Sequence, residues 1–142
     1  MKLLKIKKLN KDAKVPKYAH FNDAGIDLYC IKKTTIAPRQ RVLVETGIAM
    51  QIPLGFAGLI WDKSGLSTKY GLHVFAGVID ATYRGEIKIL LYNSSSKAFT
   101  FEKGDKISQM LIQPVMNFKI IESNKLSATK RDLGGFGSTG KK

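Results

Sequence analysis

At 142 residues the chain fits one ordinary domain, long enough to bury a core without disulfides. Apolar content is 44%, no apolar run approaches bilayer length, and a lone cysteine, Cys30, excludes a disulfide framework and a cysteine zinc site of the usual spacing. The net charge of +13 attracts polyanions. However, Lys and Arg are scattered, without an RNP, zinc-finger or helix-turn-helix pattern, so no stable nucleic-acid partner is expected. A phosphate-rich small ligand fits the charge equally well. The cysteine usage suggests the reduced, cytoplasmic interior of a cell, and no membrane association is expected.

In chain order, MKLLKIKKLN alternates lysines with apolar residues, so Lys2–Leu9 is predicted as a strand and not a signal peptide. Gln40–Ala49 follows as a second strand, and Ser64–Tyr70 is the one stretch suited to a short helix. Val74–Ile79, Glu86–Tyr92, Ala98–Glu102 and Phe118–Glu122 are further strands. Turn signals separate them: Asn22-Asp23, Ala37-Pro38, Pro53-Leu54-Gly55, Asn93-Ser94-Ser95-Ser96 and Lys103-Gly104-Asp105. Many short strands at close spacing predict an all-β sandwich, barrel or jelly roll. The final segment, RDLGGFGSTGKK, sets four glycines around one phenylalanine and cannot hold regular structure. Its Gly-Ser-Thr-Gly peptide can wrap a phosphate with amides and hydroxyls.

The stretch GVIDATYRGE, Gly77 to Glu86, places an aspartate directly after Val78-Ile79, where a hairpin needs only Gly or Asn. Two readings stay open for Asp80 at this point: an aspartate that caps the turn, or one aimed at a ligand. No protein nucleophile stands out. Cys30 sits in an apolar strand, and His20 and His73 have no paired serine or cysteine at a telling spacing. Arg84 and Glu86 have the pattern of a surface or interface ion pair.

Five stretches together resemble the motifs of the trimeric dUTP pyrophosphatases, in order and spacing, across nearly the whole chain. They are AGIDLY (Ala24–Tyr29), DKSGLSTKYGL (Asp62–Leu72), GVIDATYRGE, GDKISQMLI (Gly104–Ile112) and GGFGSTG (Gly134–Gly140). The resemblance implies a jelly-roll-like β fold over residues 1–130, a flexible C-terminal lid over 131–142, and a threefold homotrimer with shared sites. It also implies magnesium-dependent hydrolysis of dUTP to dUMP and pyrophosphate. By the same resemblance, Asp80 activates the attacking water and Tyr83 lies against the deoxyribose, excluding a 2′-hydroxyl. The main chain around Gly77, Val78 and Ile79 reads uracil. Lys63, Ser64, Gly65, Lys88 and Gln109 join the substrate contacts. Arg131 meets the γ-phosphate, Phe136 stacks over uracil, and Gly137 and Ser138 supply phosphate donors.

Asp27 matches the first-motif aspartate near the metal. Two roles stay open for it: a structural carboxylate, or a water-mediated magnesium contact. Two departures from the family pattern stand out. Lys63 replaces the usual arginine, giving a point charge without a bidentate fork, and Asp132 replaces the usual glycine. The related dCTP deaminases carry a catalytic glutamate at the position of Leu90, and leucine cannot move protons.

Overall fold

The computed structural model describes residues 3–134. It is built from eleven short strands and one helix, and every strand pairing is antiparallel. The largest sheet runs in the order β2 (Ile26–Tyr29), β11 (Lys106–Pro114), β6 (Phe56–Trp61), β8 (Val78–Ile79). A second sheet orders β4 (Arg41–Glu45), β9 (Lys88–Asn93) and β7 (Leu72–Phe75). Two ribbons complete the framework: β1 (Lys5–Lys8) with β5 (Ile48–Gln51), and β3 (Thr34–Ile36) with β10 (Phe99–Phe101). The architecture is the jelly-roll-like sandwich expected from the strand spacing, and the sheets do not close into a barrel.

One core joins these sheets. Leu28 of β2, Met110 of β11, Val44 of β4, Ile89 and Leu91 of β9, Leu72 of β7, Ile36 of β3 and Phe101 of β10 are all fully buried in it. Each such side chain stabilises the fold by about 1.5–3 kcal/mol relative to exposure. Alternation along β9 points Ile89 and Leu91 inward, leaving Lys88 on the outer face.

The strand expected over Gln40–Ala49 is two strands, broken at Thr46-Gly47. Gly47 takes a positive φ of 68° and its amide bonds Glu86 Oε1 at 2.8 Å. A side chain there would collide with Ile31 and Ala13, so the bend requires glycine. Val74–Ile79 is likewise split, because Ala76 and Gly77 both have positive φ. The helix α1 spans Ser64–Tyr70 and ends on Gly71 in the left-handed region.

Phe118–Glu122 corrects the sequence expectation. It is not a strand in this chain. Phe118, Ile120 and Ile121 are exposed. An apolar pattern supplies side chains for a sheet, but a strand also needs a neighbouring backbone, and the segment finds none in its own chain.

Candidate active site

The candidate residues gather in two separate clefts. The first lies where β2, β11 and β6 run side by side, with Gln109 paired to Asp27 on one side and to Trp61 on the other. Asp23, Gly25, Asp27, Asp62, Lys63 and Gln109 line this space of about 580 Å³. Gly25 is what lets Gln109 occupy it, since a Cβ on Gly25 would stand 2.7 Å from Gln109 Oε1. The other end of that amide donates from Nε2 to the Asp62 carbonyl at 2.8 Å. Gln109 is therefore fixed across the β6–α1 junction.

Asp27 is the electrostatic centre of this cleft. Its carboxylate is 2% exposed, with Lys63 Nζ donating to Oδ1 at 2.5 Å. Lys106 Nζ stands 2.7 Å from Oδ2, an ion-pair contact and not a well-aligned hydrogen bond. Burial pushes the Asp27 carboxyl up, but the Lys106 and Lys63 ammonium groups outweigh it and hold it below its ordinary 3.8. The same pairing holds Lys106 above its ordinary value. One carboxylate thus carries two cations, and the cluster keeps a net positive charge. Ser64 and Gly65 open α1 beside Lys63 and are exposed.

Asp62, to which the sequence reading assigned no role, braces the wall of this cleft. Its Oδ1 accepts the Val74 amide at 2.5 Å, and Oδ2 accepts Ser67 Oγ at 3.0 Å. His73 Nδ1 lies 2.9 Å from Oδ2, where an ionised carboxylate makes the ring nitrogen the donor. Burial raises the Asp62 carboxyl, and the Val74 amide, His73 and Ser67 together bring it below its ordinary value. The only signal in the sequence is a charged residue ending the apolar run FAGLIW. Its partners, up to twelve positions away, follow no periodicity.

The second cleft is lined by Leu43, Val78, Ile79, Asp80, Tyr83, Glu86 and Lys88. The strand β8 pairs with β6 through Gly58↔Ile79 and Leu59↔Val78, and Ile60 donates its amide to Gly77 O at 2.8 Å. A turn follows, closed by the Tyr83 amide on Asp80 O at 3.1 Å. Arg84 clips it from outside, donating to Ala81 O at 2.6 Å and Tyr83 O at 2.8 Å. Tyr83 turns its hydroxyl to Glu86 O at 3.0 Å, and a Cβ on Gly85 would run into that ring and hydroxyl. Gly85 seats Tyr83 as Gly25 seats Gln109. Asp80 is exposed on the rim of this turn.

Glu86 and Lys88 are paired with each other at 3.4 Å, and Lys88 also lies 3.6 Å from Glu45. Leu90 is half-buried in β9, between Leu43 and Phe75 on the neighbouring strands.

The structure therefore brings Asp27, Lys63 and Gln109 together, and separately Val78, Ile79, Asp80, Tyr83 and Lys88. The two clefts share no lining residue, but a third concave surface, which Gly77 lines, meets the first at Trp61 and Asp62 and the second at Val78. Arg131 is exposed, and its Nε donates to Gly134 O at 2.8 Å instead of to the adjacent Asp132. Asp132 has a φ of 41°, a region where aspartate is tolerated better than most residues, which is how it stands in for glycine. Phe136, Gly137 and Ser138 lie outside the described residues.

The comparisons with known proteins agree with this arrangement. The family model described as dUTPase matches residues 11–140. The chain belongs to the dUTPase family. It is 48% identical to the deoxyuridine 5'-triphosphate nucleotidohydrolase of Hydrogenobaculum sp., over the full length of both chains. With the enzyme of that name from Clostridium tetani it shares 49% identity, over 97% of each chain. Among solved structures, a mutant dUTPase of Staphylococcus bacteriophage 80alpha, solved with dUpNHpp, superposes with a TM-score of 0.92 at 27% identity, covering 99% of each chain. The dUTPases are enzymes, and the family match spans the segments that line both clefts. Among the described residues no helix is long and apolar enough to cross a membrane.

Proposed function

We propose that this chain hydrolyses dUTP to dUMP and pyrophosphate. The reading rests on one observation: an exposed carboxylate, Asp80, beside a tyrosine seated by Gly85, on a hairpin whose main chain is partly open. Membership of the dUTPase family and the dUpNHpp held by the phage relative support the same substrate. Uracil sits against the β7–β8 connection and β8, where fixed backbone donors and acceptors at Gly77, Val78 and Ile79 match its polar edge and leave cytosine unpaired. The Tyr83 ring packs on the deoxyribose and excludes a 2′-hydroxyl.

Asp80 takes a proton from a water as its oxygen bonds to the α-phosphorus. The bond from that phosphorus to the bridging oxygen breaks, and pyrophosphate leaves with the electron pair. Lys63, Ser64, Gly65 and Gln109 receive the phosphate chain, with Lys63 exchanging Asp27 for phosphate oxygens. Lys88 adds positive charge beside the hairpin. The lid, with Arg131, Phe136, Gly137 and Ser138, covers the nucleotide.

Among the described residues no three His, Cys, Asp or Glu side chains converge as a metal cage, and both Asp27 oxygens already face ammonium groups. Magnesium, held mainly by the substrate phosphates, would add positive charge to the triphosphate. Asp27 would be the carboxylate to hold it through water, if Lys63 turned to the phosphates.

We read the two clefts as parts of different sites, Asp80 and Tyr83 lying in one and Asp27, Lys63 and Gln109 in the other. We infer a threefold homotrimer in which Asp80 and Tyr83 of one subunit face Ser64 and Gln109 of a second, under the lid of a third. The exposed Phe118, Ile120 and Ile121 are then covered by a neighbouring copy. The cellular consequence is a low dUTP level, which limits uracil in DNA, and a supply of dUMP for dTMP synthesis.

The deciding experiment is Asp80→Asn. It is expected to bind dUpNHpp within a few-fold of the parent while losing at least ~100-fold in pyrophosphate release. Retention of more than about a tenth of normal turnover would remove Asp80 as the base.

A further inference from the structure

Beside the Asp27 cleft lies a second concave space of about 840 Å³, lined by Lys8, Lys14, Lys17, His20, Tyr29 and Lys106, with Asp105 as its acid. It shares only Ala19 with the Asp27 cleft, and the Lys106–Asp27 ion pair stands between them. The dUTPase reading assigns it no role.

Its charge is poorly compensated. Lys8 and Lys14 give their ammonium groups to carbonyls, Lys11 O at 2.9 Å and Gly104 O at 2.8 Å. Those bonds satisfy donors without neutralising charge. Lys17 makes no ion pair among the described residues, and the Asp105 carboxylate is already engaged by the Glu102 amide at 2.8 Å. Lys106 shares its only carboxylate with Lys63. Several ammonium groups from three separate segments thus face one space over an apolar floor of Ala13, Val15 and the Tyr29 ring. Low-dielectric walls strengthen such a field.

The arrangement is built and not incidental. Lys14 lies 5.4 Å over the Tyr29 ring centroid. It fits there because Gly104, at a φ of 84°, has no side chain, and a Cβ would stand 2.6 Å from Lys14 Nζ. Tyr29 is 6% exposed, and its hydroxyl has no hydrogen-bond partner among the described residues. Aspartate and lysine charges reach it from Asp27 and Lys106.

We propose that this cleft is a second anion site, taking a small polyphosphate of the inorganic pyrophosphate class. Convergence of lysines from different directions favours a compact, multiply charged anion over the extended backbone of a nucleic acid, which a linear stripe would track.

The test uses the full chain, first saturated with dUpNHpp so that the substrate cleft is filled, and then titrated calorimetrically with pyrophosphate. One pyrophosphate per chain is expected, bound at least ~10-fold tighter than inorganic phosphate. Lys14→Gln/Lys17→Gln and Lys8→Gln/Lys17→Gln should each weaken it at least ~10-fold, with melting temperature and dUTP turnover within about twofold of the parent. Were dUpNHpp not to bind, the dUTP reading would fail by itself, and the same titration on the free chain would still read this cleft through the two double variants. No pyrophosphate binding, or binding indifferent to both variants, overturns the site. Equal affinity for phosphate overturns the polyphosphate assignment. An oligonucleotide that displaces pyrophosphate with higher affinity, and loses that affinity in the same variants, makes the cleft part of a nucleic-acid surface instead.

Discussion

Asp27 carries two ammonium groups on one nearly buried carboxylate, and this makes it the electrostatic brace of its cleft. Its depressed pKa sets the sign of the pH effect. Stability from the cluster is fully present above the ordinary aspartate value of 3.8 and is lost as pH falls through the lowered folded value. Asp27→Asn is therefore expected to lower stability by about 1–3 kcal/mol at pH 7, less than for a fully buried pair because both lysines are partly exposed. Thermal melts from pH 7 downward should show the deficit shrinking only in strongly acid solution. A deficit that vanishes by pH 5 would refute the pairing. At the same scale, Gly85 has no chemistry of its own, yet Gly85→Ala forces the Tyr83 ring from its seat. The ratio of kcat/KM for dUTP to that for UTP should fall at least several-fold, as it should in Tyr83→Ala, and an unchanged ratio would move sugar selectivity elsewhere.

At the scale of elements, the junction of β6 and α1 gathers Asp62, Lys63 and Ser64 on the lip of one cleft. Lys63 provides a point charge where the family usually has an arginine fork, so Lys63→Arg is expected to tighten dUpNHpp binding by about 3–10-fold. Titration of both proteins checks it, and weaker binding would mean that the Asp27 pairing is specific to lysine. The helix was legible to its ends, because the run Ser64–Tyr70 carries no proline and stops at Gly71, a residue suited to the left-handed cap. The breaks at Gly47 and Gly77 were not. An apolar strand pattern runs up to both positions, and only in the fold would a side chain meet Ile31 at one and Ile60 at the other, where φ is positive. Phe118–Glu122 failed for a different reason, since its pattern describes a surface to be covered and not the backbone that covers it.

At the scale of the whole molecule, the proposed trimer divides each site among three subunits, and mixed trimers test that division. Asp80→Asn and a chain truncated before Arg131 should each be inactive alone. Refolded together at equal ratio, about three-quarters of trimers are mixed, and each mixed ring has one junction with an intact base and an intact lid in the required direction. Activity should recover to about one-quarter of the parent's. Background activity with mixed trimers confirmed by native mass spectrometry would sink the shared site.

The sequence by itself determined the strand-rich character, the helix, the turns and the identity of the motifs. These depend on local periodicity, backbone preference and residue type, all of which are written along the chain. The tertiary structure alone decided that Asp27 holds two lysines, that Asp62 braces Val74, that Gly25 and Gly85 make room for Gln109 and Tyr83, and that the motifs fall into two clefts. Most of those contacts join residues that share no period and lie far apart in sequence, and the one between Gly85 and Tyr83 depends on the turn that folds near neighbours together. They arise from strand register and from which small residue leaves space beside which large one, and both are settled only when the sheets pack.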